Sequence, residues 1–331
     1  MTLTGSEVRA LLVSHGLRPS RALGQNFVVD PNTVRRIARL AAVGPGDRVV
    51  EIGAGLGSLT LALAETGASV TAVEVDRRLL PVLRDVVSGT GARVVAGDAM
   101  DLNWNELLSP AGESAGEAPA GGASGGEAPD GGSGVAEAAA GGVWVLVANL
   151  PYNVATPLVA DLLDGVAAVG RMLVMVQREV GERLAAGVGD SAYGAVSVKV
   201  AYWATAAVVG RVPPTVFLPR PRVDSVLVAI RRRQAPAVDP AAVGAGELFA
   251  LVRAGFAHRR KMLRGSLAGL VPASAWAVAG VAPDARAEDL DVLAWGRLTA
   301  AVADAGVAAG ARGPGGPAPA ASSTVDAGGR R

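Results

Sequence analysis

The chain contains no cysteine. That absence removes disulfides, thiolate metal sites and every mechanism built on a cysteine nucleophile. Histidine is nearly as scarce: His15 and His258 stand far apart, so neither a histidine-based metal site nor a Ser-His-Asp triad finds support, and no metal is expected. No apolar run approaches the roughly 18 residues of a membrane span. The segment Met1 to Arg9 carries charges without the apolar core of a secretion signal, so no membrane partner is expected and the cytoplasm is the expected compartment.

What remains is a chain of 331 residues, 50% of them apolar, enough to bury a core and to fold as one large and one small domain. A formal net charge of +1 hides a segregation of sign. Residues 109–142 hold five acids (Glu113, Glu117, Glu127, Asp130, Glu137) and no base, whereas residues 211–264 hold eleven Arg or Lys against three acids. A basic surface of that kind suits a polyanion such as RNA, although a solvated face is the plainer reading.

Short apolar runs alternate with helical patterns along the first part of the chain, which predicts βαβ units and an α/β fold with a mostly parallel sheet. Strands are expected at 47–52, 69–74, 93–96, 143–149 and 171–177, with 206–210 and 225–231 as a closing hairpin. Helices are expected at 32–42, 58–65, 77–87, 157–163 and 178–186, and Thr156 followed by Pro157 reads as a helix start. Residues 109–142 are dominated by Gly, Ala, Glu, Ser and Pro and are expected to be a disordered insertion. From 245 to 305 the pattern is helical without strand signals, and the tail from 306 repeats the insertion's composition. The expected division is a catalytic domain over 1–235, a small all-α domain over 240–305 and a disordered tail over 306–331.

Glu51-Ile52-Gly53-Ala54-Gly55-Leu56-Gly57 follows a predicted strand and opens a helix. Glycines there allow a sharp turn and close approach of a ligand. Their G-x-G-x-G spacing, with the acidic Glu51 just ahead, favours a nucleoside with a positively charged, phosphate-free tail over a dinucleotide. S-adenosylmethionine fits that description. Glu74 closes the next strand, where a carboxylate accepts ribose hydroxyls, and Asp98 in Gly97-Asp98-Ala99-Met100 is placed to accept the cofactor's adenine amino group. Either acid has a plainer reading as a helix cap or a solvated loop residue.

Asn149-Leu150-Pro151-Tyr152 ends the apolar run 143–148, at the kind of strand end where open α/β sheets place their chemistry. Proline fixes its own φ and holds Leu150 extended. The amide oxygen of Asn149 and the carbonyl of Pro151 are then expected to accept the two hydrogens of a planar amine, with Tyr152 stacking on a flipped base. A strand followed by a simple turn is the alternative.

With these residues in place the chain resembles the bacterial ribosomal RNA adenine dimethyltransferases, which act on two adjacent adenines near the 3′ end of 16S rRNA. The likeness runs over about 8–305 apart from the insertion, through Gly24-Gln25-Asn26-Phe27, Glu51 to Gly57, Glu74, Gly97-Asp98-Ala99, Asn149 to Tyr152, Gln177-Arg178-Glu179-Val180 and Tyr193-Gly194. It continues through Val212-Pro213-Pro214, Phe217, Pro219, Pro221 and Val223-Asp224-Ser225, and ends at Arg259-Arg260-Lys261. The resemblance implies a Rossmann-like, seven-stranded methyltransferase domain that binds S-adenosylmethionine through Asn26, Phe27, Glu51, Gly53, Gly55, Gly57, Glu74, Asp98, Ala99 and Asn149. Catalysis would fall to Asn149, Leu150, Pro151 and Tyr152. Phe217 is a candidate for the second face of the base, with core packing as its alternative. Arg220, Arg222, Arg259, Arg260, Lys261 and Arg264 are candidates for phosphate contacts. The implied partner is 16S rRNA in the small ribosomal subunit, the enzyme acting as a monomer and without DNA. A resistance-type 23S rRNA adenine methyltransferase, a DNA or protein amine methyltransferase, an NAD-linked oxidoreductase and a non-catalytic assembly factor remain as competing readings.

Overall fold

The computed structural model describes residues 2–109, 143–151 and 154–311. The expected insertion from 110 onward, the tail from 312 onward and Tyr152 lie outside the described residues. Helix α1 (Gly5–Ser14) is held at its start by a capping box, in which the Thr4 hydroxyl accepts from the Glu7 amide and the Glu7 carboxylate accepts from the Thr4 amide. The two-residue strand β1 (Phe27–Val28) leads into α2 (Pro31–Ala41). There Asp30 caps Thr33 and Pro31 sits where no amide donor is needed.

The βαβ pattern then runs as expected. Strand β2 (Arg48–Ile52) is followed by α3 (Ser58–Ala64), β3 (Ser69–Glu74), α4 (Leu80–Val87), β4 (Arg93–Ala96), α5 (Trp104–Leu107), β5 (Trp144–Asn149), α6 (Ala155–Gly165) and β6 (Val169–Gln177). Next come α7 (Arg178–Ala185), α8 (Ala195–Trp203), β7 (Ala204–Val212), β8 (Phe217–Leu218) and β9 (Ser225–Arg232). Helix α4 starts later than expected because the Asp76 carboxylate takes the Arg78 amide and guanidinium, turning the chain before the helix begins. Helix α6 starts earlier than Thr156. The Pro151 carbonyl already accepts from Val154 and Ala155, which makes Thr156 a first-turn residue rather than the cap.

Seven strands form one sheet in the order β4-β3-β2-β5-β6-β9-β7, parallel except for the two pairings made by β9. The expected hairpin closes the sheet, and β1 pairs with β8 in a separate two-stranded ribbon. From β2 the chain winds outward to β4 and returns to β5 on the other side of β2, so the topological switch point lies between β2 and β5. Ile52 pairs with Ala148 there, which sets Gly53 and Asn149 side by side just beyond the strand ends. Valine, leucine and isoleucine dominate these strands because both sheet faces are covered, one by α2 and α3 and the other by α5, α6 and α7.

Four helices follow: α9 (Ala245–Ala257), α10 (Leu263–Ser266), α11 (Ala273–Ala279) and α12 (Val292–Ala311). The last corrects the expected start of the tail, since residues 306–311 are still helical. These helices pack Leu248, Phe249, Trp276, Trp295 and Leu298 into a second core that also takes Tyr193, Val198 and Tyr202 from the chain around α8. Helix α8 contributes Val200 to the sheet-side core as well. Among the described residues no helix is long and apolar enough to cross a membrane.

Candidate active site at the switch point

The turn after β2 carries Gly53, Gly55 and Gly57 at φ of +73°, +60° and +88°, a region open to glycine. A Cβ on Gly55 would stand 3.1 Å from the Phe27 ring, so the glycine lets β1 close over the turn. Gly57 does a different job from the cofactor contact expected of it. It is not among the residues lining the cleft, and a Cβ there would meet Leu83 and Val87 of α4 at 3.1 Å, so it serves the packing of α3 on α4.

A cleft of about 860 Å³ opens over the strand ends, lined by Gly24, Asn26, Phe27, Glu51, Gly53, Gly55, Glu74, Asn149 and Pro151 among others. A second hollow of about 660 Å³ adjoins it, sharing Leu23, Gly53, Val75 and Pro151 and adding Gly97, Asp98, Ala99 and Met100. The structure thus brings together the expected cofactor residues at consecutive strand ends, apart from Gly57.

Glu74 is buried at the end of β3, where Oε2 accepts from the Gly55 amide at 2.7 Å and Oε1 from the Asp76 amide at 2.8 Å. A carboxylate oxygen has two acceptor sites, so each retains one for a ligand hydroxyl. Burial pushes its pKa up against these bonds. Asp98 is exposed, and its Oδ1 accepts from the Met100 amide at 2.9 Å, which shapes the turn that presents the hollow.

Glu51 departs from expectation. It is 1% exposed and accepts a hydrogen bond from the Thr60 hydroxyl at 2.6 Å. Desolvation pushes its pKa to about 8 against that bond, with the Glu74 charge adding to the rise. The carboxyl is therefore mostly neutral at pH 7, and the anionic character assigned to it in the sequence reading is not present at that pH.

Asn149 ends β5, and its Nδ2 donates to the carbonyl of Asn26 at 2.9 Å. A carbonyl can only accept, so this bond fixes which end of the amide is nitrogen and leaves Oδ1 as an acceptor with no hydrogen-bond donor among the described residues. The Leu150 side chain is buried, its amide bonded to the Met175 carbonyl, and it anchors the turn beneath the cleft. Pro151 lines both hollows, but its carbonyl accepts from the Val154 and Ala155 amides at 3.2 and 3.1 Å. Both lone pairs are committed to the start of α6, which corrects its expected role as a substrate acceptor.

Phe217 is also corrected. It is 4% exposed, pairs with Val28 across the β1–β8 ribbon and packs in the α2-side core, which leaves no ring face for a base. Arg259 donates to Glu288 at 2.8 Å and to the Ser191 carbonyl at 2.7 Å, so it ties the α9 end to the loop before α8. Arg220, Arg222, Arg260, Lys261 and Arg264 are exposed, with no salt bridge found among the described residues. Arg232, counted in the basic stretch, donates instead to the carbonyls of Leu162, Leu163, Val166 and Val169 and closes the end of α6.

One participant escaped the sequence reading. Asp76 lies two residues beyond Glu74 and accepts from the Gln25 side chain at 2.9 Å and from Arg78. The signal was there in a second acid two residues after a strand-end acid.

A family model described as ribosomal RNA adenine dimethylase matches residues 17–304. A curated ribosomal RNA small subunit methyltransferase A from Thermobifida fusca is 44% identical over 307 residues, covering 89% of this chain and 94% of that one. The protein of the same name from Cutibacterium acnes is 44% identical over 317 residues, covering 92% and 95%. Among solved structures, a dimethyladenosine transferase from Plasmodium falciparum superposes with a TM-score of 0.61 at 22% identity, covering 81% of this chain and 94% of that one. The 23S rRNA methyltransferase ErmE gives 0.58 at 24% identity, covering 84% and 99%. Both structural likenesses speak to the shared class I methyltransferase fold.

Proposed function

The chain belongs to the ribosomal RNA adenine dimethylase family, and from that premise we propose that it dimethylates the exocyclic amines of two adjacent adenines near the 3′ end of 16S rRNA, as a cytoplasmic monomer acting on the small ribosomal subunit. It is an S-adenosylmethionine-dependent rRNA adenine dimethyltransferase. The observation that carries the site assignment is the Asn149 amide, pinned through Nδ2 with Oδ1 left to accept.

The residues present fit the cofactor. Glu74 keeps one acceptor site on each oxygen for a pair of ribose hydroxyls, and the Gly53–Gly55 turn leaves room beside Asn26 and Phe27 for an amino-acid tail. Asp98 and Ala99 border the adjoining hollow, which Met100 and Leu158 also line and which would hold an adenine ring. S-adenosylmethionine supplies an activated methyl on a sulfonium. Glu51, largely neutral at pH 7, holds Thr60 and the floor of the cleft rather than offering a full counter-charge.

The 6-amino group of adenine is a weak nucleophile because its lone pair is delocalised into the ring. Asn149 Oδ1 accepts one of its hydrogens and draws the nitrogen toward tetrahedral geometry. With the Pro151 carbonyl committed to α6, the second acceptor is assigned to the main-chain carbonyl of Leu150. Tyr152 offers the stacking face. Positioning and hydrogen bonding supply the acceleration, with the departing proton passing to solvent. Arg220, Arg222, Arg260, Lys261 and Arg264 are proposed to contact phosphates, and the helices within 240–305 to form the RNA-binding part beside the catalytic part over 1–235.

The test is transfer of labelled methyl from S-adenosylmethionine to unmethylated small subunits and, in parallel, to naked 23S rRNA, with the product nucleoside read by mass. Dimethyladenosine on the small subunit alone is expected. Label on 23S rRNA alone would move the substrate to the other ribosomal RNA, and binding to subunits without label would leave an assembly factor.

A further inference from the structure

The orientation of Asn149 depends on a carbonyl that belongs to a loop. Residues 20–26 cross the strand ends without regular structure and are held internally: the Gln25 amide donates to the Ser20 carbonyl, the Ser20 amide to Gln25 Oε1 at 2.7 Å, and Asn26 Nδ2 to the Gly24 carbonyl. Such a loop has a shape but needs an anchor. Among the described residues, two side-chain hydrogen bonds tie it to the sheet: Asn149 Nδ2 to Asn26 O, and Gln25 Nε2 to Asp76 Oδ2.

Asp76 is a stiff anchor. It is 6% exposed, its amide donates to Glu74 Oε1, and its carboxylate takes Arg78 in a two-pronged charge-assisted pair. An unbroken path therefore runs from Glu74 through Asp76 to Gln25, along one peptide to Asn26 and across to Asn149. We infer that Gln25 and Asp76 are positioning residues for methyl transfer: they fix the loop so that the Asn26 carbonyl holds the Asn149 amide with its oxygen toward the substrate amine, and they couple that amide to Glu74 on the cofactor side. The inference rests on the methyltransferase reading, and it assigns a role to two residues beyond the catalytic tetrapeptide and the cofactor acids.

Removing the anchor leaves the loop free to carry Asn26 O out of reach. The Asn149 amide then rotates, and the fraction of molecules with Oδ1 correctly aimed falls. Such a change lowers kcat by more than it weakens ground-state binding of the cofactor, which Asn26 and Phe27 also border. The glutamine is suited to the task because it donates to Asp76 and accepts from Ser20 at once, which leucine of similar size cannot do.

The experiment uses the full chain with small subunits as substrate and three variants: Gln25→Leu, Asp76→Asn and the double variant. Gln25→Leu is expected to lower kcat about tenfold, equivalent to about 1.4 kcal/mol. Its affinity for S-adenosylhomocysteine, measured by calorimetry, is expected to move less than about threefold. Asp76→Asn can offer its single amide oxygen to Gln25 only by turning its NH2 toward the Arg78 donors, so it is expected to lower kcat several-fold, and the double variant to be no worse than Gln25→Leu, because both act through one bond. A second reading needs no turnover: in cofactor-free protein, the Asn149 side-chain amide resonances should shift and broaden in Gln25→Leu, and move in the same direction to a smaller extent in Asp76→Asn. Unchanged kcat, losses that multiply in the double variant, weakened cofactor binding at constant kcat, or an Asn149 resonance indifferent to Gln25→Leu would each overturn the inference. A wild-type protein that labels neither RNA would instead sink the methyltransferase reading, and the resonance experiment would still decide whether the anchor orients Asn149.

Discussion

Glu51 offers a test in which stability and site chemistry pull against each other. The perturbation is Glu51→Gln, which keeps an oxygen to accept from the Thr60 hydroxyl but cannot ionise. In the unfolded chain the carboxyl ionises near its ordinary value of 4.5, whereas in the fold it holds its proton up to about 8. Between those values the unfolded state has released a proton that the native state still binds, so stability falls as pH rises, by about 1.4 kcal/mol per pH unit. At pH 7 the accumulated cost is about 3 kcal/mol, and above pH 8 it levels off. Below pH 4.5 both states are protonated and the cost is gone. Glu74, also raised by burial, adds a slope of the same sign to both proteins and cancels in the comparison. Urea unfolding of wild type and variant at pH 5, 6, 7 and 8.5 should therefore give curves that differ by less than about 1 kcal/mol at pH 5 and diverge to about 4 kcal/mol by pH 8, the variant being the more stable. Parallel curves would refute the reasoning, since they would mean that Glu51 ionises alike in both states.

Other outcomes follow from the same structure. Asn149→Ala is expected to lower kcat on small subunits by about a hundredfold or more, while calorimetry still detects S-adenosylhomocysteine binding through Glu74 and Asp98. Arg232→Ala strips four carbonyls of a half-buried donor and should lower unfolding free energy by about 2–4 kcal/mol in urea, with Arg232→Lys recovering little because one ammonium cannot reach all four. Gly57→Ala puts a Cβ 3.1 Å from Leu83 and Val87 at a φ of +88°, so a melting point lowered by several degrees is expected with cofactor affinity changed only in proportion. Lys261→Glu with Arg264→Glu should weaken RNA binding and flatten its dependence on salt by about one unit of log–log slope per lost phosphate contact, which a filter-binding titration in salt would measure.

The central strands were legible because a strand buried on both faces must be a largely apolar run, and β2, β3, β5 and β6 are such runs, interrupted inside only by Glu51, Thr71 and Gly170-Arg171. The cofactor acids were legible for a similar reason: a polar residue directly after a buried run marks a strand end. Helix α8 was not, since it is buried against both cores and Ala195 to Trp203 shows no polar stripe to betray its period. The β1–β8 ribbon is two residues long on each side, too short for any alternation to register. Charge was the least readable property. Arg232 and Arg259 look like surface cations in sequence, yet one closes a helix end and the other spans two loops, because a guanidinium's five donors find carbonyls wherever the chain leaves them unpaired. The Pro151 carbonyl failed as an acceptor for a related reason: nothing in the tetrapeptide reveals that the helix begins immediately after it.

The sharing of α8 between two cores has a bearing on how the protein is made. Its inner face is complete as soon as the sheet forms, but Tyr193, Val198 and Tyr202 wait for Trp295, Leu298 and Ala301, encoded about a hundred residues later. The sheet is complete once β9 is made, about 70 residues before Ala301, so at ordinary translation rates of about 5–20 residues per second the newborn sheet domain carries an uncovered aromatic face for roughly 3–14 seconds. During that interval the nascent chain, rather than the finished enzyme, is the species most exposed to aggregation, and a lesion in α12 would act by lengthening it.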